Sequence, residues 1–113
     1  MSKVAFHRLD HERVLRELKR YAEEELAARP EVREAVLIGS LARDDWSARS
    51  DADLVLVVDE ASEPGPFRGS EYRPRQPVGV DVDVFVYTAE EMRQLRPRMR
   101  GEVERGVTLY RRG

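Results

Sequence analysis

The stretches that decide the expected fold read Ala35-Val-Leu-Ile-Gly-Ser-Leu-Ala-Arg43 and Ser50-Asp-Ala-Asp-Leu-Val-Leu-Val-Val58. Each contains a short apolar run, which is typical of a buried strand. The first run ends at the turn signal Gly39-Ser40, and the second follows the pair Asp51 and Asp53. Because the second run is apolar almost throughout, it favours a central strand that is covered on both faces.

The sequence on either side of these stretches predicts a helix and a third strand. Residues from about His11 to Ala28 carry apolar side chains at helical spacing, and Asp10 suits the N-cap of such a helix. Val78 to Tyr87 alternates in the manner of a strand. One face of that strand carries valines, and the other carries Asp81, Asp83, Phe85 and Tyr87.

The end of the chain predicts short elements. A capping box at Thr88-Ala-Glu-Glu91 predicts a helix from Ala89, which Pro97 ends or kinks, and a second helical piece over residues 99–104. Val107 to Tyr110 predicts a last short strand. The segment Glu60 to Pro77 is rich in proline and glycine and predicts a long loop.

The order of these elements implies one mixed β-sheet with helices packed against it. That arrangement is an α/β (α+β) fold. A length of 113 residues suits a single domain over residues 1–113.

Composition narrows the possible functions. Charged residues make up 37% of the chain, yet the net charge is only -2, so direct nucleic-acid binding is not expected. There is no cysteine, which excludes disulfides and thiolate chemistry. The N-terminal residues do not resemble a signal peptide, and no apolar run is long enough to span a bilayer, so we expect a cytoplasmic protein and no membrane partner.

The acidic residues suggest a metal site. Asp51 and Asp53 lie two apart on an extended segment, so their carboxylates point to one face. Such a pair suits Mg²⁺, which takes oxygen ligands and keeps positions for substrate phosphates. A third carboxylate on a neighbouring strand would allow a two-metal site. Asp83 is the candidate, with Asp81 beside it; the alternative interpretation of the pair is a polar strand start on a solvated loop.

The turn between the first two strands suggests a phosphate site. Gly39 allows the backbone to approach a phosphate closely, and the Ser40 hydroxyl and following amides can hold terminal phosphates. Arg43 could reach a triphosphate or equally pair with a surface acid. The histidines His7 and His11 have a spacing that can suit a metal on a helix, but a solvated N-terminal turn is the preferred interpretation.

These motifs resemble those of a known family. Gly39-Ser-Leu-Ala-Arg43, Ser50-Asp-Ala-Asp-Leu54 and Val82-Asp-Val-Phe-Val-Tyr-Thr88 are similar to the minimal nucleotidyltransferase (MNT) domains. That family belongs to the polymerase-β-like nucleotidyltransferase superfamily and has its palm fold. The similarity extends roughly from Val32 to Tyr110 and includes the closing Arg105-Gly-Val-Thr-Leu-Tyr110.

The resemblance implies site residues and a partner. The acids that bind Mg²⁺ would be Asp51, Asp53 and Asp83, the last chosen over Asp81 by its distance to Thr88. Many members are antitoxins that neutralise a HEPN-type toxin encoded nearby, and some transfer AMP from ATP to a tyrosine hydroxyl of that toxin. The partner would be a separate protein, and we expect a homo- or hetero-oligomer.

Two departures from the family pattern keep alternatives open. The position after Arg43 is often glycine in the family but is Asp44 here, and its negative charge would repel phosphate. The segment before the third strand is often helical in relatives but is rich in proline and glycine here. A non-catalytic antitoxin that only covers its partner is therefore the second hypothesis, and a small-molecule nucleotidyltransferase is the third.

Overall fold

The computed structural model describes residues 3–42, 51–60 and 69–113, with side chains from His11 onward. The helical elements and strands follow in the order α1 (Lys3–Tyr21), a π-helical turn (Ala22–Leu26), β1 (Val32–Ile38), β2 (Ala52–Val58), a 3-10 turn (Ser70–Tyr72), β3 (Val82–Thr88), α2 (Ala89–Met92), α3 (Pro97–Glu104) and β4 (Val107–Arg111).

The four strands form one mixed sheet in the order β3-β2-β1-β4. β1 is antiparallel to β2 and to β4, while β2 and β3 are parallel. β1 and β2 are the interior strands, and most of their side chains are buried. The predicted α/β (α+β) class with a mixed sheet and flanking helices is therefore confirmed.

One face of the sheet packs against α1 and its π-helical turn. Val14, Leu18, Tyr21 and Leu26 recur at helical spacing and are buried against alternate residues of the strands, such as Leu54. Burying a leucine of this kind contributes about 1.5–3 kcal/mol. This cluster is the larger of the two hydrophobic cores described for the sheet. It supports the ends of the strands that carry the acids.

The opposite face has a smaller core. Val36, Ile38 and Val55 are buried there, and the partly buried Met99 and Val103 of α3 cover them. No residue of α3 is fully buried, so this covering layer is thin. Helices thus lie on both faces of the sheet, but the second face leaves more of its surface accessible.

The boundaries of some elements differ from those predicted. α1 begins at Lys3, so Asp10 lies inside the helix and is not its N-cap. β3 begins at Val82 and not at Val78, because Gly79 has a φ of 95°, which turns the chain before the strand. Pro97 begins α3, since a residue without an N–H group suits the first turn of a helix.

The predicted capping box is confirmed. The Glu91 amide donates to the Thr88 hydroxyl at 3.1 Å, and the Thr88 amide donates to the Glu91 carboxylate at 2.8 Å. None of the helices in the described ranges is both long enough and apolar enough to cross a membrane.

Gly106 sets the distance between α3 and the sheet. A Cβ atom added there would lie 2.5 Å from Val36 Cγ1 and 2.6 Å from the Leu37 carbonyl oxygen. Gly101, inside α3, offers a contrast, because its added Cβ would meet only the flexible end of Arg105 at 3.3 Å.

We therefore expect Gly106→Ala to lower the free energy of unfolding by about 1–3 kcal/mol through overpacking. The matched change Gly101→Ala should raise it by about 0.5–1 kcal/mol, since alanine costs less backbone entropy within a helix. Urea unfolding of both variants measures the difference. Equal effects of the two changes would contradict this account of the α3 contact.

Candidate functional site

The pairing register of β2 and β3 brings the predicted acids together at one end of the strands. Asp53 and Asp83 are direct partners in the parallel β2–β3 pairing. Partners on adjacent strands are separated by roughly 4.8 Å, the spacing between hydrogen-bonded strands. Asp51 immediately precedes β2, and its negative charge acts on Asp53. The structure thus places Asp51, Asp53 and Asp83 as neighbours.

The acids share the face of the sheet that α3 covers. Ala52 and Leu54 belong to the α1-side core, while Val55 belongs to the opposite core. Because side chains alternate along a strand, Asp53 lies on the same side as Val55. α3 brings a further carboxylate, Glu102, whose negative charge also acts on Asp53. Sequence reasoning missed Glu102, since only the tertiary packing of α3 brings it near.

Gly39 lies directly beside this acidic group. Ile38 of β1 pairs with Asp53 of β2, so Gly39, the next residue, lies at the same end of the strands as the acids. Its φ is 79°, a conformation that favours glycine. A Cβ atom at position 39 would lie 3.1 Å from Asp53 Oδ2. Glycine therefore keeps one side of the Asp53 carboxylate open.

His11 fastens the turn that follows Gly39 to α1. Its Nε2 donates a hydrogen bond to the Leu41 carbonyl oxygen at 3.0 Å, and both residues are buried. The prediction of a solvated turn is wrong for His11, because α1 extends to Lys3 and places His11 in its interior. Its spacing to Val14 and Leu18 marks the buried helix face and could have identified this position. The side chain of His7 lies outside the described part of the chain.

A cavity of about 500 Å³ opens beside the acids on the β3 side. Asp51, Asp81 and Asp83 contribute carboxylates to it. Val82 of β3 and the segment before β3 contribute the remaining wall. That segment combines polar and apolar side chains: Arg73, Pro74, Gln76, Pro77, Val78 and Val80. A cavity of this composition can receive a ligand with both an apolar body and a hydrogen-bonding group.

Partial burial and the crowding of negative charge raise the pKa of Asp53. Partial burial is the largest cause, followed by the charges of Asp83, Asp51 and Glu102. A group that is desolvated and surrounded by like charges holds its proton more tightly than an ordinary carboxyl. Asp53 is therefore stabilised by any cation that binds between these carboxylates.

The donor chemistry of the site fits Mg²⁺. Asp51, Asp53 and Asp83 offer only carboxylate oxygens, the ligands that Mg²⁺ prefers, and the open side at Gly39 leaves room for substrate oxygens. Across residues 3–42, 51–60 and 69–113, however, no three His, Cys, Asp or Glu side chains already form a group that could hold a metal ion. The carboxylates would have to move closer together around such an ion.

Two further predicted site residues, Ser40 and Asp81, lie within the described part of the chain. Ser40 lies in the turn after Gly39. Arg43 and Asp44 lie outside the described residues. Asp81 is exposed, lines the cavity and accepts a hydrogen bond from the Ala52 amide through its carbonyl oxygen at 2.8 Å. The register favours Asp83 as the third acid, and that choice stays a prediction.

Comparison with known proteins identifies the family and supports the fold. The family model for the nucleotidyltransferase domain matches residues 15–110. Among solved structures, the chain is similar to an inferred nucleotidyltransferase from Sulfolobus solfataricus, with a TM-score of 0.65 and 25% sequence identity. That similarity covers 99% of this chain and 91% of the other. A search of curated proteins found no match.

The raised pKa of Asp53 predicts a pH-dependent stability. Its pKa lies above the ordinary carboxyl value of 3.8, so the folded protein holds this proton more tightly than the unfolded chain does. Between the ordinary and the raised pKa the folded state binds more protons, and the free energy of unfolding falls as pH rises. Above the raised pKa of Asp53, the full loss of unfolding free energy is present and no longer changes with pH.

Asp53→Asn removes this penalty, so we expect the variant to be more stable than the wild type at pH 7. The difference should shrink as the pH falls toward 3.8. Urea unfolding across this pH range measures it, and Asp81→Asn, which removes an exposed neighbouring carboxylate, is the control. A less stable Asp53→Asn protein at pH 7 would contradict the assigned charge repulsion.

Proposed function

The chain belongs to the nucleotidyltransferase domain family, and from that premise we propose that it transfers AMP from ATP to a hydroxyl group of a protein partner. The observation that carries the proposal is the pairing of Asp53 with Asp83 beside the Gly39 turn. This arrangement of carboxylates supports the binding of metal-bound phosphates, and the cavity next to them supports the entry of an acceptor.

Each residue has a distinct proposed role. Asp51 and Asp53 would hold Mg²⁺, which when bound supplies positive charge that stabilises the phosphates during the reaction. Gly39 would admit the triphosphate to the turn, and Ser40 with the following amides would donate hydrogen bonds to its β- and γ-phosphates. Arg43 is a further candidate for contact with the triphosphate.

The transfer itself is an in-line displacement. The acceptor oxygen forms a bond to the α-phosphorus, and the bond between that phosphorus and the oxygen bridging to the β-phosphate breaks. Pyrophosphate leaves with the electron pair of the broken bond. Asp83 would accept the proton that the acceptor hydroxyl loses, or would bind a metal ion on the side where the acceptor enters.

The resemblance to minimal nucleotidyltransferases suggests the biological setting. We propose that the acceptor is a tyrosine of a HEPN-type toxin and that the chain acts as its antitoxin. The apolar wall of the cavity, which includes Val78 and Val80, suits the ring of such a side chain. Assembly with the toxin would be part of this function.

Neutralisation without catalysis is the second candidate. Two observations favour it: the acids of the described residues do not yet form a metal-holding group, and Asp44 stands where the family often has glycine. A protein of this kind would neutralise its partner by complex formation alone.

Mixing the protein with Mg²⁺, ATP and its HEPN-type partner, followed by mass spectrometry of the partner, separates these candidates. We expect an added AMP on a tyrosine, which disappears with EDTA or with the double change Asp51→Asn and Asp53→Asn. Circular dichroism checks that the double variant folds. Neutralisation of the toxin without any adduct would support complex formation and reject transfer.

Asp83 and Asp81 offer a matched pair for the third acid. We expect Asp83→Asn to lower the transfer rate by at least about 10²-fold, since a positioned proton acceptor contributes on that order. Asp81→Asn removes the same charge two residues earlier and should change the rate by less than about tenfold. The reverse order of effects would assign the third acid to Asp81.

A further inference from the structure

Arg73 carries the positive charge in the cavity beside the acids. It is the only basic side chain among the described residues that line this cavity. Within the described ranges, its guanidinium forms no ion pair or hydrogen bond, in contrast to Arg29 and Arg112, which pair with Glu71 and Asp59. A cation that lines the same cavity as three carboxylates, and that has no partner among the described residues, is available to a ligand.

The wall that bears Arg73 is anchored at two points. The Tyr21 hydroxyl donates to the Tyr72 carbonyl oxygen, and the buried Tyr72 ring lies 4.5 Å from the guanidinium carbon of Arg29. Gly69 packs against β3 so closely that an added Cβ would lie 2.4 Å from the Val84 carbonyl oxygen. These contacts hold the backbone on the N-terminal side of Arg73 against α1 and the sheet.

Proline restricts the other side of Arg73. Pro74 follows it directly, and Arg73 has an extended backbone with φ -62° and ψ 147°. The residue before a proline is confined to this region by steric clash. The base of the Arg73 side chain is therefore held in place before any ligand binds.

The cavity lies on the acceptor side of the proposed site. β2 separates β1, which ends at Ile38 just before Gly39, from β3, which begins beside the cavity. Adjacent strands are about 4.8 Å apart, so the turn and the cavity flank Asp53 on opposite sides. In an in-line displacement the acceptor approaches opposite the leaving pyrophosphate. With the β- and γ-phosphates at Gly39, the acceptor enters through the cavity.

We infer that Arg73 selects the acceptor by pairing with a carboxylate that lies close to the hydroxyl group to be modified. The ligand class is thus an acidic, hydroxyl-bearing polypeptide segment. A guanidinium matches a carboxylate with two parallel hydrogen bonds, which gives direction as well as attraction. This inference rests on the proposed function, because that function assigns the phosphates to the Gly39 side.

Charge-swapped probes test the inference. The probes are three tripeptide amides with a central tyrosine flanked by two Glu, two Gln or two Lys residues. Calorimetry measures their binding in the presence of Mg²⁺ and α,β-methylene-ATP, so no turnover is needed. We expect the wild type to bind the Glu-flanked peptide about tenfold more tightly than the Lys-flanked one. Arg73→Glu should reverse this preference, and Arg73→Lys should retain it.

Arg75→Glu is the matched control. It makes the same charge change two residues away, but Arg75 does not line the cavity beside the acids. Arg75 lines a neighbouring cavity, which Arg73 also borders, and its amide donates to Glu25 at 2.9 Å. We expect this variant to change the preference by less than about twofold. Binding of α,β-methylene-ATP alone should stay within about twofold in both glutamate variants.

Three results of the peptide measurements would overturn the inference. They are a charge preference that Arg73→Glu leaves unchanged, an equal effect of Arg75→Glu, and the lack of binding by every peptide. A tenfold loss of α,β-methylene-ATP binding in Arg73→Glu would also overturn it by assigning Arg73 to the nucleotide. Arg73-dependent peptide binding without AMP transfer to the HEPN-type partner would reject the proposed function but retain Arg73 as the contact to an acidic polypeptide segment.

Discussion

The register of β2 between β1 and β3 holds the candidate site together. Asp53 faces Ile38 on one side and Asp83 on the other, which places the turn at Gly39 and the third acid around one carboxylate. A slip of one residue would move every β2 side chain to the opposite face of the sheet. Leu54 and its alternate neighbours would then leave the core under α1, so apolar burial enforces the position of the acids.

This arrangement sets stability against the proposed function at a single residue. The core fixes Asp53 where partial burial and three neighbouring negative charges raise its pKa. Such a group costs free energy in the folded protein, and functional sites are where that cost is commonly retained. The larger core on the α1 side, together with the hydrogen bond from His11 to the Leu41 carbonyl, offsets the cost and stabilises the turn beside it.

The sequence predicted those parts that depend on local pattern. Strand β2 follows from a nearly continuous apolar run, and the capping box at Thr88 follows from residue types three positions apart; both are confirmed. Contacts between distant residues could not be read in this way. Glu102 reaches the site through the packing of α3, and His11 reaches the turn through a contact thirty positions along the chain.

The two ends of β2 show why the acids at its start are available to a ligand. Asp59, just after the strand, pairs with Arg112 through two hydrogen bonds of 3.0 Å, which lowers its pKa. At the other end the pKa of Asp53 is raised, and in the described residues no arginine or lysine pairs with it. The chain has 20 Lys and Arg residues, so the contrast arises from where these residues lie and not from a lack of them. The far end of β2 is neutralised by an arginine of the chain, whereas none of the described basic residues pairs with Asp53 at the near end, which supports the proposed binding of a metal ion there.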